Sequence, residues 1–201
     1  MSGVFSSICF ALIVLGGTDA ASAKDGPRPC TNAQTGTTMK VYVASPLGFS
    51  EVGRLFYNDK LLPLLKGSGC EVLDPWTLTP ESEIKPVQNM PYGPARKIAW
   101  QKLNAVIGAN NESAIRRADM VFAVLDGVDV DSGTAAEIGC GFALGKKILG
   151  YRGDFRLAAD NDGAVVNLQV EYFIRASGGD IVTSLDAVPD AIKKLVSLRA
   201  K

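Results

Sequence analysis

The chain has 201 residues, 47% of them hydrophobic, and its charges balance at 21 Lys and Arg against 21 Asp and Glu. This length and apolar content suffice for one globular domain with its own core, and the zero net charge argues against a nucleic-acid partner. Histidine is absent, which excludes Ser-His-Asp and Cys-His nucleophile systems and histidine-ligated metal sites. Acid–base chemistry must therefore use carboxylates, Lys, Tyr or Cys.

The N-terminal segment is open to two interpretations. An apolar run from Ile8 to Leu15 is followed by Ala21-Ser22-Ala23, a small-x-small pattern that predicts a signal peptide over residues 1–23 and a periplasmic or secreted protein. The run is too short to span a bilayer, so we expect no membrane span in the mature chain. Alternatively, translation starts at Met39, directly before the first predicted strand, and the protein is cytoplasmic.

The rest of the sequence predicts a linker followed by one domain. Residues 24–38 are rich in Pro, Gly, Thr and Asn and predict a linker; residues 39–201 predict the domain. Apolar strand-like runs alternate there with helical patterns, which predicts an α/β domain whose parallel sheet is covered by helices on both faces. The predicted strands are 41–45, 70–73, 120–125, 147–151 and 180–183, and the predicted helices are 51–66, 95–117, 134–144, 165–176 and 185–198.

Three loops are expected to form a ligand site. In parallel sheets, ligands bind beyond the carboxyl ends of the strands. Segments 45–49, 74–94 and 126–134 follow the first three predicted strands and should meet there. Segment 74–94 is longer than a connection needs, and it is predicted either as a lid or substrate wall or as a disordered surface excursion.

The four cysteines and the glycines of residues 129–147 do not predict a cofactor site. Cys9, Cys30, Cys70 and Cys140 have no C-x-x-C spacing, so neither a zinc site nor a redox pair is expected. The glycines match neither a Walker loop nor a dinucleotide fingerprint. Gly139 and Gly141 are interpreted as helix-packing positions, and Gly145 as a C-cap whose following lysines complement the negative end of the helix.

Glu137 has two competing interpretations. Thr134 and Glu137 have the spacing of a capping box, in which Glu137 only closes a helix start, and Asp131 is then a turn residue before Gly133. Alternatively, Glu137 lies in the first turn of a helix at the sheet edge, where the helix dipole lowers its pKa and keeps it ionised as a nucleophile. Asp131 would then point into the same cleft, and two carboxyl groups of this kind can break a glycosidic bond.

Several stretches of the sequence resemble the nucleoside 2-deoxyribosyltransferase family. The resemblance runs from about Met39 to the last helix, and its most specific part is D-S-G-T-x-x-E-x-G over residues 131–139, preceded by an apolar strand. The other matching stretches are 40–46, 118–125, 145–147, Arg152-Gly153-Asp154-Phe155-Arg156 and Asn167-Leu168.

The resemblance implies a flavodoxin-like (Rossmann-like) fold with about five strands, no cofactor or metal, and transfer of a deoxyribosyl group between bases through a covalent glycosyl-enzyme. Glu137 would be the nucleophile, Tyr42 would orient it by a hydrogen bond, and Asp131 would assist protonation of the base. Asn167 would bind a sugar hydroxyl, in relatives often across the interface of a homo-oligomer. By pattern alone, Tyr42 also fits a strand core position and Asn167 a helix cap.

The substrate-binding residues that we expect are Ser45, Asn111, Gly133 and Asn167, and the partners are a deoxynucleoside and a free nucleobase. At Asn111, well-known family members have a base-contacting Asp; an amide cannot supply a proton, so base preference should differ. The C-terminus also lacks the aromatic residue that completes a neighbouring site in some members.

Two other functions fit the same residues. Water can capture the same glycosyl-enzyme, which would make the protein a hydrolase of deoxynucleosides or of their 5'-monophosphates. The fold can also serve as a non-catalytic nucleotide-binding or sensing module, because a fold alone does not fix a function.

Overall fold

The sheet has five strands, all parallel, within the described part of the chain. The computed structural model describes residues 38–197, so the predicted leader, the predicted linker up to residue 37 and residues 198–201 lie outside the described residues. The sheet order is 2-1-3-4-5, which is the flavodoxin-like order and confirms the predicted fold class. The strands are β1 (Lys40–Ala44), β2 (Glu71–Leu73), β3 (Met120–Val124), β4 (Lys147–Tyr151) and β5 (Asp180–Val182).

The helices agree closely with the predicted ones, apart from one that was not expected. The first predicted helix is interrupted by a π-helical turn at Tyr57–Leu61, and the last begins with a 3-10 turn at Leu185–Ala187. Among residues 38–197, no helix is both long enough and apolar enough to cross a membrane. The α-helices are α1 (Glu51–Phe56), α2 (Leu62–Gly67), α3 (Glu81–Gln88), α4 (Pro94–Arg117), α5 (Ser132–Ala143), α6 (Leu168–Ala176) and α7 (Val188–Ser197).

The two faces of the sheet carry separate hydrophobic clusters. Side chains alternate along β1, so Val41 and Val43 pack with α2 and α7, whereas Tyr42 and Ala44 pack with α4, α5 and α6. All four of these side chains are completely buried. The helices therefore cover both faces, as predicted, and Tyr42 lies on the face that holds α5.

Segment 74–94 is ordered rather than a disordered excursion, so that alternative prediction is wrong. It contains α3, which follows Pro80, begins with acidic residues Glu81 and Glu83 in its first turn, and includes Pro86. Acidic residues favour a helix N-terminus because they complement its positive dipole. No residue of α3 is fully buried.

The glycines of α5 act in packing and capping. A Cβ on Gly141 would lie 2.8 Å from Cγ2 of Val121, so only glycine lets α5 approach β3 this closely. Gly145 has a φ of +69°, a left-handed conformation that confirms the predicted C-cap. A Cβ on Gly139 would meet Phe173 at 3.7 Å, an ordinary contact, so close packing does not require glycine there.

The lysines after α5 do not complement the end of that helix, which corrects the prediction. Lys146 Nζ donates instead to the carbonyl oxygens of Arg116 at 2.8 Å and Ala118 at 2.7 Å, at the C-terminus of α4. Lys147 begins β4. The cation thus stabilises the negative end of a neighbouring helix.

Candidate active site

A cavity of about 470 Å³ lies at the carboxyl ends of β1 and β3, where the strand order reverses and ligands bind in folds of this topology. Its size is within the range of small-molecule sites. The three loops predicted to meet do so, since each contributes to the lining. The lining residues are Ser45, Phe49, Pro75, Trp76, Thr79, Ile84, Trp100, Ile107, Asn111, Asp131, Gly133, Thr134 and Glu137.

Glu137 is the carboxylate that α5 presents to this cavity. Its Oε1 accepts a hydrogen bond of 2.5 Å from the hydroxyl of Tyr42, which lies on the interior strand β1 and is completely buried. The predicted contact is therefore present. Because Tyr42 is fixed by the core, the hydrogen bond holds the orientation of the carboxylate and leaves Oε2 for a ligand.

The environment of Glu137 raises its pKa to about 7, chiefly because the carboxyl is buried. The hydrogen bond from Tyr42 lowers this pKa and the charge of Asp131 raises it. The predicted lowering of the Glu137 pKa by the helix dipole is wrong. Glu137 is the sixth residue of α5, beyond the first turn in which the dipole acts strongly, so burial dominates.

The start of α5 also corrects the predicted capping box. The N-cap is Asp131, whose Oδ2 accepts from the backbone N–H of Thr134 at 3.0 Å and from its hydroxyl at 3.4 Å. Asp is as good an N-cap as Thr, and here the helix begins three residues earlier than the predicted box. Glu137 is consequently not used as a cap.

Asp131 combines its capping role with a place in the cavity wall. Among the described residues, both hydrogen bonds to its carboxylate use Oδ2, which leaves Oδ1 for a ligand. A Cβ on Gly133 would lie 3.1 Å from the same Oδ2, so a larger residue would crowd the carboxylate. The charge of Asp131 acts on Glu137, which places the two carboxyl groups in one electrostatic environment.

Asn111 lies on the α4 wall of the cavity. It shares a face of that helix with Trp100 and Ile107, because positions separated by seven and eleven residues align on a helix. Its Oδ1 is buried and has no hydrogen-bond partner among residues 38–197. Its neighbour Asn110 points elsewhere and donates from Nδ2 to Thr79 Oγ1 at 3.0 Å.

Of the remaining predicted binding residues, Ser45 lines the cavity and Asn167 does not. Ser45 is buried, lines the cavity and accepts from the backbone N–H of Leu47 at 3.1 Å. Asn167 is the N-cap of α6, where its Oδ1 accepts from Gln169 and Val170 at 3.0 and 3.4 Å. It does not belong to the cavity lining of this chain, so the structure does not bring it to the other predicted residues.

Aromatic side chains form part of the cavity wall, and none of them was among the predicted binding residues. Trp76 lies so close to Gly48 that a Cβ there would be 2.1 Å from Cε2 of the indole. Phe49 meets the Trp76 ring edge-on, with centroids 4.8 Å apart, and Trp100 of α4 also lines the cavity. The spacing of Trp100, Ile107 and Asn111 was the available signal for a helix face directed at a ligand.

A second tyrosine–carboxylate pair adjoins the first. The hydroxyl of Tyr57 donates to Asp74 Oδ1 at 2.8 Å, and Asp74 directly follows Leu73, which is paired in register with Tyr42. Burial, reinforced by these carboxylates, raises the pKa of both tyrosines far above their ordinary value. Both hydroxyls therefore remain protonated donors at neutral pH.

Within residues 38–197, no group of three or more Cys, Asp or Glu side chains is arranged to hold a metal ion. The cavity offers two carboxylates, one amide, hydroxyls and aromatic surfaces. That set suits general acid–base and nucleophilic chemistry on a small organic molecule. The expectation that no metal or cofactor takes part stays a prediction.

Comparison with known proteins identifies the family. The model of the family described as nucleoside 2-deoxyribosyltransferase matches residues 41–169, and no curated protein matches the sequence significantly. The 2-desoxiribosyltransferase from Leishmania mexicana is 25% identical, with a TM-score of 0.53 over 79% of this chain and 97% of that chain.

Two further solved structures share the fold. The 2-deoxyribosyltransferase from Bacillus psychrosaccharolyticus is 22% identical, with a TM-score of 0.51 over 75% of this chain and 90% of that chain. A conserved protein from Enterococcus faecalis V583 is 22% identical, with a TM-score of 0.52 over 78% of this chain and 98% of that chain. Because the family model covers more than half of the chain and the fold agrees, the chain belongs to the nucleoside 2-deoxyribosyltransferase family.

Proposed function

We propose that the protein transfers a 2-deoxyribosyl group between nucleobases by cleaving the N-glycosidic bond through a covalent glycosyl-enzyme on Glu137. The observation that carries the proposal is the Tyr42–Glu137 hydrogen bond at the wall of a cavity that also contains Asp131. Family membership and the likeness to the Leishmania mexicana enzyme support it.

The first step is displacement of the base. Glu137 Oε2 attacks the anomeric carbon while the electrons of the carbon–nitrogen bond pass to the departing base, which takes a proton from Asp131. Tyr42 holds Oε1, so that the other oxygen faces the sugar. The nucleophile must be ionised, and the Tyr42 hydrogen bond favours the ionised form against the effect of burial.

The second step reverses the first with another base. A ring nitrogen of the incoming base attacks the same carbon and expels the Glu137 carboxylate, and its proton returns to Asp131. Two inversions give net retention. The substrates are accordingly a deoxynucleoside and a free nucleobase, which Ser45, Asn111 and Gly133 help to hold.

We also propose a homo-oligomer, in which Asn167 reaches the cavity of a neighbouring subunit. Leu168, next to Asn167, is 51% exposed, and Phe155 and Leu157 are 94% and 77% exposed. Exposed apolar groups of this kind often lie at subunit contacts. Light scattering of the purified protein tests this, and a monomer with full activity would contradict it.

Base exchange is the direct test of the activity. The protein is incubated with one deoxynucleoside and a second free base, and the new nucleoside is followed by chromatography. Exchange that is abolished in Glu137→Ala but retained in Glu112→Ala supports the proposal, because Glu112 is an exposed carboxylate paired with Arg116. Exchange at an undiminished rate in Glu137→Ala would refute it.

The same assay separates transfer from hydrolysis. A hydrolase releases base at a rate that does not depend on the acceptor base, whereas a transferase forms the new nucleoside in step with base release. A non-catalytic module would bind a nucleoside in calorimetry without any turnover. The location proposed from residues 1–23 is tested by N-terminal sequencing of the mature protein, and a start at Met39 would contradict it.

A further inference from the structure

Tyr57 carries a hydroxyl at a position where phenylalanine would satisfy the hydrophobic core. It packs in the cluster of α2 and α7 and is 2% exposed, yet its hydroxyl donates to Asp74 Oδ1 at 2.8 Å. Burial of a hydroxyl costs free energy unless it finds a partner. Tyr57 also opens the π-helical turn Tyr57–Leu61, a distortion that is frequent at functional sites. The hydroxyl therefore needs an explanation beyond packing.

Asp74 connects Tyr57 to the wall of the cavity. The same Oδ1 accepts from the backbone N–H of Trp76 at 3.0 Å, and one carboxylate oxygen can accept two hydrogen bonds. The carbonyl oxygen of Asp74 accepts from the backbone N–H and from the hydroxyl of Thr77, each at 3.0 Å. The chain around Trp76, whose side chain lines the cavity, is thus folded about Asp74.

The stretch 74–79 is held at both of its ends. Tyr57 holds Asp74, and Thr79 Oγ1 accepts at 3.0 Å from Nδ2 of Asn110 on α4. Trp76 lies between these two attachments and is 40% exposed, so packing alone fixes it only in part. The hydrogen bonds at the ends of the stretch therefore contribute to the position of the indole.

We propose that Tyr57 and Asp74 are a positioning pair that fixes Trp76 at the cavity wall for substrate binding, an inference that rests on the proposed function. Neither Tyr57 nor Asp74 lines the cavity, so the pair acts on the substrate through the residues that follow Asp74. A wall that is already in place loses less conformational entropy when a ligand binds. The pair should therefore lower KM and leave kcat nearly unchanged.

The first test removes the Tyr57 hydroxyl alone. In Tyr57→Phe, KM for the deoxynucleoside should rise about three- to ten-fold, the size of one lost hydrogen bond, while kcat stays within about two-fold. Tyr151→Phe is the matched control, because Tyr151 is a buried tyrosine of the same hydrophobic cluster whose hydroxyl lies beside Gly153. A KM in Tyr57→Phe no higher than in this control, with exchange intact, would overturn the inference.

Two variants of Asp74 separate its role as an acceptor from its charge. Asp74→Asn keeps an Oδ1 that can accept from both Tyr57 and Trp76, whereas Asp74→Ala keeps no acceptor. KM should stay within about three-fold of the unmodified value in Asp74→Asn and rise at least about ten-fold in Asp74→Ala. Equal KM values in the two variants would count against a positioning role.

A double-mutant cycle shows whether Tyr57 acts through Trp76. In a Trp76→Ala background, Tyr57→Phe should change KM by less than about two-fold, because the side chain that it positions is already gone. The same rise in KM with and without the Trp76 indole would overturn the inference.

The position of Trp76 can also be measured without any activity. The two tryptophans of the chain are Trp76 and Trp100, so in Trp100→Phe the indole emission comes from Trp76 alone. Adding Tyr57→Phe should move the emission maximum to longer wavelength, since a released indole meets more water, and adding Tyr151→Phe should not. An unmoved maximum would overturn the inference. Absence of exchange in the unmodified protein would instead overturn the proposed function, and the emission would still decide whether Tyr57 positions Trp76.

Discussion

The hydroxyl of Tyr42 donates to Glu137 Oε1 across 2.5 Å, and this bond joins an interior strand of the sheet to the carboxylate at the cavity. It lowers the pKa of Glu137, against burial, which raises it. The orientation and the ionisation of the proposed nucleophile therefore depend on the same contact.

Tyr42→Phe should lower kcat by about 100-fold, the usual size of effect when one positioned donor to a reacting group is lost. Loss of the hydrogen bond also raises the pKa of Glu137, so the acidic limb of the pH–rate profile should move to higher pH. Profiles of both proteins check this, with Tyr172→Phe on an exposed part of α6 as the control. An acidic limb at the same pH in Tyr42→Phe as in the unmodified protein would contradict the prediction.

The exchange activity should rise with pH around neutrality. In the proposed mechanism Glu137 reacts as a carboxylate and its pKa is raised to about 7, so kcat/KM should increase about ten-fold per pH unit as the pH rises toward that value. Measurement between about pH 5 and 9 covers the transition. A profile that is already flat at about pH 5 would show that another group, or an ordinary Glu137, controls the rate.

Glu137→Gln should stabilise the protein at high pH. The pKa of Glu137 rises from 4.5 unfolded to about 7 folded. Below the lower value the carboxyl is protonated in both states and imposes no penalty. As the pH rises from the unfolded pKa to the folded pKa, the free energy of unfolding of the unmodified protein falls. The loss is about 2 to 3 kcal/mol once the pH reaches the folded pKa. Urea unfolding at about pH 4 and pH 8 should show an advantage of the variant only at the higher pH; equal stability at both would contradict the raised pKa.

Gly48→Ala should weaken substrate binding. The added Cβ would lie 2.1 Å from Trp76 Cε2, so the indole must move and reshape the cavity. We expect a higher KM and a loss of about 1 to 3 kcal/mol in the free energy of unfolding. Gly108→Ala is the control, because a Cβ there meets nothing within 4 Å and alanine favours a helix interior. An unaltered KM in Gly48→Ala would show that the Trp76 wall does not contact the substrate.

Arg152→Lys should destabilise the loops at the carboxyl edge. Arg152 is 2% exposed, and its guanidinium donates to the carbonyl oxygens of Leu125 and Arg156 at 2.5 Å. An ammonium group cannot reproduce this planar geometry, so we expect a loss of about 2 to 4 kcal/mol in urea unfolding. Arg175→Lys, at an exposed ion pair, should cost less than about 1 kcal/mol. Similar losses in the two variants would contradict the role of Arg152.

The fold could be predicted from the sequence because strands and helices alternate with clear apolar patterns and few long connections. The exception is α3. Its side chains are not buried, and Pro80 and Pro86 stand where a turn is the usual expectation. The clue was Glu81 and Glu83 in its first turn, a charge pattern weaker than hydrophobic periodicity.

The site could be predicted in part. Motif spacing and family resemblance led to Glu137 and Tyr42, although the two are 95 positions apart. Local sequence could not decide whether Asp131 or Thr134 caps α5, since both residue types are good N-caps. Nor could it show that burial outweighs the helix dipole at Glu137, because burial is a property of the assembled fold.

The Lys146 hydrogen bonds to the end of α4 have a consequence for how substrates enter. They join α4, which carries Asn111, to the chain leaving α5, which carries Glu137, at the side of the domain away from the cavity. The two helices that carry Asn111 and Glu137 are thereby linked at that end. In the proposed exchange, we expect one base to enter and another to leave by movement of segment 74–94, while α4 and α5 keep their relative position.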